Sequence, residues 1–339
     1  MIYVMFFLFL YVCSFCEVNT SKMALKTKSA FYFASFCSFL LVAGCRYKTG
    51  YDFNAYMAYF EHVNTPSIFK RMETGYGWLN LFFKNTVNSY SIMLFCIVLF
   101  CTMLLFAFCK KYSPFPLMSL FVYSVFFFLS YNMGLMRQYI ALSISLCTAN
   151  ALLDGKKIFA VLFILLAMLF HSSAIVTFLY FFCTKIKLNR PTYIAIVGTT
   201  VFLTFAGTLI VNSIVVSVFS FPFLPEALGK YIGYLSNAKF GQKLAFSSGL
   251  GYLTRVVLIN FVFLTKENDT KNTNFFFNAV ILGLLISAFG RNIAIIDRLA
   301  KYFSLFEIVF FVYAVQILKK RMTVFFPAIS EKVLSISMM

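Results

Sequence analysis

Apolar stretches of membrane-spanning length recur along this chain, separated by short polar segments. A helix needs about 20 apolar residues to cross the hydrocarbon core. Runs near that length lie at 1–16, 30–45, 90–109, 114–132, 136–153, 158–183, 192–218, 249–265, 274–290 and 301–318. They predict an all-α, polytopic transmembrane helical bundle with about ten or more membrane segments. The whole of 1–339 then forms a single integral membrane domain, with no internal repeat and no low-complexity linker. The last residues, Thr323 to Met339, are only mildly apolar.

The polar punctuation predicts an orientation. Lysine and arginine mark cytoplasmic loops. Basic clusters occur at Lys22, Lys26 and Lys28, at Lys110 and Lys111, and at Lys156 and Lys157. Others are Lys185, Lys187 and Arg190, then Lys266 and Lys271, then Lys319, Lys320 and Arg321. With all of them inside, the N-terminus lies outside. So do the loops near 46–89, 131–137, 219–248 and 291–300.

One run does not fit this alternation. Residues 158–183 lie between two basic clusters and so must cross an even number of times, yet the run is too short for two full spans. His171, Ser172 and Ser173 interrupt it. The expected form is a broken helical hairpin, two half-helices meeting at His171. Such an element is tolerated in a membrane where it lines protein or a wet cavity. The alternative is one long tilted helix.

Composition narrows the class. The chain is 61% hydrophobic and 12% charged, whereas a soluble domain is roughly half apolar and a quarter charged. The net charge of +18 does not point to nucleic acid, because the basic residues are scattered between apolar runs. Met1 opens directly into an apolar run without a basic segment, which predicts a retained membrane helix. Cys13 and Cys16 form a C-x-x-C inside that run, where redox or metal chemistry lacks partners and access. Nothing in the sequence calls for a metal or a cofactor.

Arginine is distributed differently from lysine. Arg46, Arg71, Arg137, Arg291 and Arg298 fall on the outer side, against the topological bias. The guanidinium holds phosphate or carboxylate with a planar fork and keeps its charge when desolvated. As a group they suggest an anionic ligand at the outer boundary. Singly, each is explained as well by headgroups or local carboxylates.

Five ordered motifs surround these arginines. The first outer loop carries Arg46, Gly50, Asp52 and Tyr56, then Glu73, Gly75 and Tyr76. Next come Arg137-Gln138-Tyr139-Ile140-Ala141, Phe170-His171-Ser172-Ser173-Ala174 and Arg298-Leu299-Ala300-Lys301-Tyr302-Phe303. From Arg46 to Phe303 this set resembles the bacterial polysaccharide polymerase family of the Wzy and EpsG type. There the pattern is roughly R-x-x-x-G-x-D-x-x-x-Y, E-x-G-(Y/F), R-Q-x-(I/L)-A, F-H-x-S-A and R-x-x-x-Y-F.

The resemblance implies a glycosyltransferase of the bacterial inner membrane, active on the periplasmic side. It would join repeat units carried on undecaprenyl diphosphate into O-antigen, capsule or exopolysaccharide. Its partners would be the undecaprenyl-diphosphate-linked oligosaccharide, membrane lipid and a chain-length regulator protein, without nucleic acid.

The residues suit such chemistry. Fixed Arg forks can hold a departing diphosphate, and a His or carboxylate can orient or deprotonate an acceptor hydroxyl. The candidate catalytic residues are His171, Arg137 and Asp52. The candidate substrate-binding residues are Arg46, Tyr56, Glu73, Gln138, Arg291, Arg298 and Tyr302. Structural roles stand beside these: an Arg46–Asp52 pair shaping the turn at Gly50, and Glu73 capping the stretch from Tyr76 to Phe83. Arg298 and Tyr302 are one helical turn apart and share a face. Glu307, inside an apolar span, is a functional candidate by position or a partner for Arg255.

Other functions compete. A flippase or transporter for lipid-linked sugars would also use arginines and broken helices, but with internal repeats. A membrane O-acyltransferase would use paired histidines or a His–Asp set, and here there are only His62 and His171. A non-enzymatic scaffold ranks last, because charge within a membrane segment is costly.

Overall fold

The computed structural model describes residues 1–20, 24–187, 189, 191–203, 254–261, 270–289 and 294–325. Among these, every regular element is a helix, as the hydropathy predicts. The predicted loop 219–248 and Arg291 lie outside the described residues. The chain divides into two compact units, Met1–Phe181 together with Glu307–Met339, and Phe182–Phe306.

The first unit opens with α1 (Ile2–Asn19) and α2 (Leu25–Phe39), which ends in a π-turn over Leu40–Gly44. The predicted outer loop 46–89 is itself helical: α3 (Phe53–His62), α4 (Pro66–Phe69) and α5 (Thr74–Thr86). Then come α6 (Tyr90–Tyr112) and α7 (Pro116–Tyr123), the latter continuing through a π-turn into α8 (Leu129–Tyr131). Next are α9 (Met136–Leu153) and α10 (Lys157–Phe170). A 3₁₀-helix follows over Ser172–Leu179, and the helix Glu307–Phe325 completes the unit.

Among the described residues, five helices are long and apolar enough to cross a membrane: Ile2–Asn19, Leu25–Gly44, Tyr90–Tyr112, Lys271–Phe289 and Arg298–Lys320. Shorter apolar helices occupy Pro116–Tyr131, Lys157–Phe170, Ser172–Cys183 and Pro191–Leu203. The expected membrane segment at 136–153 forms the helix α9, which is not among the helices long and apolar enough to span. That helix carries Arg137, Gln138, Ser143, Ser145, Thr148 and Asn150, and is buried along nearly its whole length. It is a core helix enclosed by its neighbours, α6 and α10 foremost. The expected segments 192–218 and 249–265 fall partly outside the described residues.

Aromatic packing holds the unit together. Phe6 of α1, Phe39 of α2 and Phe128 are buried against one another, with ring centroids 4.6–5.3 Å apart. In lipid such helix contacts rest on close packing, since lipid tails are as apolar as the side chains.

Ionic contacts gather one set of helix ends. At the C-terminus of α1, Glu17 pairs with Lys28 of α2 at 2.9 Å. Its other oxygen accepts the backbone N–H groups of Leu117 (2.7 Å) and Met118 (3.2 Å) at the start of α7. A carboxylate at a helix N-terminus satisfies orphan donors and complements the dipole. Lys111, ending α6, donates to Asn150 at 2.7 Å and to Asp154, just after α9, at 2.8 Å. Lys319 donates to the Val18 carbonyl. Three predicted basic clusters therefore share one end of the unit, and the N-termini of α1, α6 and α9 point to the other.

In the second unit the helix Lys271–Phe289 packs on Ala294–Ser304. Asn278 donates to the carbonyls of Cys183 (2.9 Å) and Ile186 (2.8 Å). Phe275 packs on Phe306 with centroids 5.1 Å apart.

Candidate functional site

Glu73 occupies the N-cap position of α5, and its carbonyl accepts the Gly77 N–H at 3.0 Å. Its side chain does not cap the helix, which corrects the expected capping role. The carboxylate instead reaches two residues far along the chain. One oxygen accepts from the Arg137 guanidinium, in the first turn of α9. The other lies 3.0 Å from Nδ1 of His171.

The break after α10 positions His171. The helix ends at Phe170, and His171 turns to an extended conformation (φ −157°, ψ 115°). Its N–H still donates to Ala167, and its carbonyl accepts from Ala174 as the 3₁₀-helix begins, both at 3.0 Å. The first turn of α5 lies tight against the end of α10. A Cβ on Gly75 would fall 2.7 Å from the Leu169 carbonyl oxygen. Only a residue without a side chain permits that approach, and the approach brings Glu73 to His171.

The chemistry of the cluster follows from its donors and acceptors. An ionised carboxylate only accepts, so Nδ1 of His171 carries the hydrogen and Nε2 of a neutral imidazole keeps its lone pair. Burial on its own would raise the Glu73 pKa. The hydrogen bond from His171 and the charge of Arg137 outweigh that and hold it down at about 2. All three side chains remain partly accessible, at 19% for Glu73, 28% for Arg137 and 15% for His171. The cluster is therefore half-buried, with each of its side chains still partly exposed. Arg137 Nε is buried without a hydrogen-bond partner among the described residues.

Buried tyrosines pack beside this cluster. Tyr56, buried on α3, is a further polar neighbour of Arg137. Its ring meets that of Tyr76 edge-on at 5.5 Å, and Tyr59 stacks on Tyr76 at 5.9 Å. The Tyr59 hydroxyl donates to the Phe69 carbonyl at 3.1 Å.

Arg46 forms a separate, supporting contact. It is buried, which lowers its pKa. It donates to the Asn132 carbonyl and approaches the Met133 sulfur at 3.3 Å. The Asn132 side chain accepts from Tyr123 at 2.7 Å and donates to Tyr139 at 3.0 Å. Arg46 thus ties the start of the helical loop to the segment that leads into Arg137. Gly50 completes the join at φ +111°, where a Cβ would lie 1.8 Å from the Met133 carbonyl oxygen.

The expected Arg46–Asp52 pair does not form, because Arg46 is taken by the Asn132 carbonyl. Asp52 sits at the N-cap position of α3 without a side-chain cap bond. Gln138 is buried beside Arg137 in α9. Arg298 and Tyr302 belong to the second unit, Arg298 half-buried and Tyr302 fully buried. Glu307 is buried in the first turn of its helix. Asn132, Tyr59 and Tyr76 had no assigned role in the sequence. The short interruption Asn132-Met133-Gly134 just before Arg137 was the signal available for Asn132.

Apolar helices of spanning length, with a buried polar core helix and an Arg–Glu–His cluster away from the lysine-rich end, define an integral membrane protein. A model of the EpsG family matches residues 29–333, which include every member of the cluster, and the chain belongs to that family. The family resemblance carried by the five motifs is thereby borne out, and membership suggests a role of the polysaccharide-polymerase type. Comparison with curated proteins gives no match, and neither does comparison with solved structures.

Proposed function

We propose that this protein polymerises a bacterial surface polysaccharide from repeat units carried on undecaprenyl diphosphate, at the periplasmic face of the inner membrane. The observation that carries the proposal is the convergence of Arg137, Glu73 and His171 in one half-buried cluster. Orientation is supported by Lys28, Lys111 and Lys319 at the other end, which the positive-inside rule assigns to the cytoplasm. In this topology α10 and the 3₁₀-helix form the re-entrant hairpin, with His171 at its tip.

The lipid diphosphate of the growing chain binds with its charge on Arg137. A hydroxyl at the non-reducing end of the incoming unit attacks the anomeric carbon. The new C–O bond forms as the bond to the diphosphate oxygen breaks. The diphosphate leaves with the electron pair, and the hydroxyl proton passes to Nε2 of His171. Arg137 offsets the charge that develops on the leaving group. The planar fork of Arg137 can donate two hydrogen bonds to phosphate oxygens in a way that a lysine cannot.

Reconstitution tests this function. The purified protein in liposomes, given lipid-linked repeat unit alone, is expected to yield polymer and free undecaprenyl diphosphate. Intact repeat unit moved across the bilayer without polymer would identify a flippase and overturn the proposal.

A further inference from the structure

Glu73 holds one arm of the guanidinium that the substrate needs. Its carboxylate is the anion already bound to Arg137, and the same carboxylate orients His171. Glu73 also lies at the N-terminus of α5, and Arg137 at the N-terminus of α9. Two positive helix ends and a guanidinium make this a strongly electropositive spot, and one carboxylate balances it in the resting protein.

We propose that Glu73 is a resident stand-in for the substrate diphosphate: the incoming diphosphate displaces its carboxylate from Arg137 and leaves it paired with His171 alone. This rests on the polymerase assignment above and deepens it. The exchange breaks no covalent bond. It swaps one anion for another on the same cation, so the cluster holds an anion at every stage. Released from Arg137, the Glu73 carboxylate offers its full charge to the Nδ1–H of His171. That charge favours the imidazolium formed when Nε2 takes the acceptor proton. Donor binding thus prepares the base, and Glu73 acts as a positioning residue through His171.

Charged and titratable neighbours fit this account. Arg137 and His171 touch Glu73 directly, Tyr59 interacts with both Glu73 and Arg137, and Tyr56 neighbours Arg137. Among them Glu73 is the one acid, so it is the group an anionic ligand must replace.

The test is binding of farnesyl diphosphate, a short polyprenyl diphosphate, to the full-length protein in detergent, with turnover measured in parallel. Glu73→Gln keeps the shape and removes the competing charge. It is expected to bind the probe about tenfold more tightly while kcat falls, so KM and kcat drop together. Glu73→Asp keeps the charge but shortens the reach to Arg137, and is expected to bind more tightly as well. A purely structural role for Glu73 would weaken binding in both variants. Equal or weaker binding in both, with Arg137→Ala still abolishing it, overturns the exchange and leaves the polymerase assignment standing. Probe binding that survives Arg137→Ala overturns the diphosphate clamp itself, and the exchange with it.

Discussion

Nδ1 of His171 stands 3.0 Å from the carboxylate of Glu73, across 98 residues of chain. The pairing depends on a helix that stops at Phe170 and a glycine that lets α5 touch its end. It gives the histidine a fixed tautomer and a fixed direction. The second oxygen of the same carboxylate holds Arg137, so a single side chain sets the geometry of the proposed donor clamp and the proposed base.

Arg137 is expected to be indispensable to polymer formation. Arg137→Ala should lower the polymerisation rate about 100- to 1,000-fold, the usual cost of losing a preorganised charge-stabilising donor. Arg137→Lys should remain strongly impaired, because a point charge does not reproduce the fork. Initial rates in liposomes, with equal protein confirmed by immunoblot, measure both.

Gly75 should tolerate no side chain. A Cβ there would sit 2.7 Å from the Leu169 carbonyl oxygen, so Gly75→Ala must push α5 away from the end of α10. A loss of about 1–3 kcal/mol is expected, together with loss of activity as Glu73 leaves His171. Thermal unfolding in detergent and the polymerisation rate report the two effects.

Arg46 is expected to act through the segment before α9. Arg46→Ala leaves the buried Asn132 carbonyl without its donor, which costs about 1–3 kcal/mol. Arg46→Lys restores a charge but not the reach, so it should recover part of the stability. A thermal shift in Arg46→Ala, alongside wild-type affinity for farnesyl diphosphate, would separate this support from direct substrate contact.

Acid stability should depend on Glu73. Its pKa is held at about 2 in the folded protein, against 4.5 for a free glutamate. A depressed carboxylate contributes stability above its unfolded pKa and loses it as pH falls towards the folded value. Wild type should therefore lose thermal stability between about pH 4.5 and 2. Glu73→Gln lacks this component, so the difference between the two melting curves should shrink over that window. An unchanged difference would remove the ion pair from the account.

Orientation can be read from one native thiol. Cys45 is exposed and adjoins Arg46. In a variant that keeps only Cys45, a membrane-impermeant maleimide should label it in intact spheroplasts. Labelling only after lysis would reverse the topology.

Much of the frame was legible from hydropathy. The run 90–109 became α6, 1–16 became α1, and the interruption at His171 marks a real break between helices. Counting basic clusters led to the expectation that Arg46 and Arg137 share a side. The pairing within the site could not be read this way, because Arg137 and Glu73 are 64 residues apart and no local period encodes such a contact. The segment 46–89 read as a loop because its helices are short, polar on one face and rich in tyrosine. Arg46 suggested a carboxylate partner, yet its acceptor is a backbone carbonyl, which every residue carries and no composition reveals.

The most direct test of the account is the surface-glycan ladder in cells deleted for this gene and complemented with wild type or with Arg137→Ala. Wild type should restore the full ladder. Arg137→Ala, expressed at the same level, should leave lipid carrying a single repeat unit. A ladder of normal length in the deletion strain, or in cells carrying Arg137→Ala, would contradict the central claim.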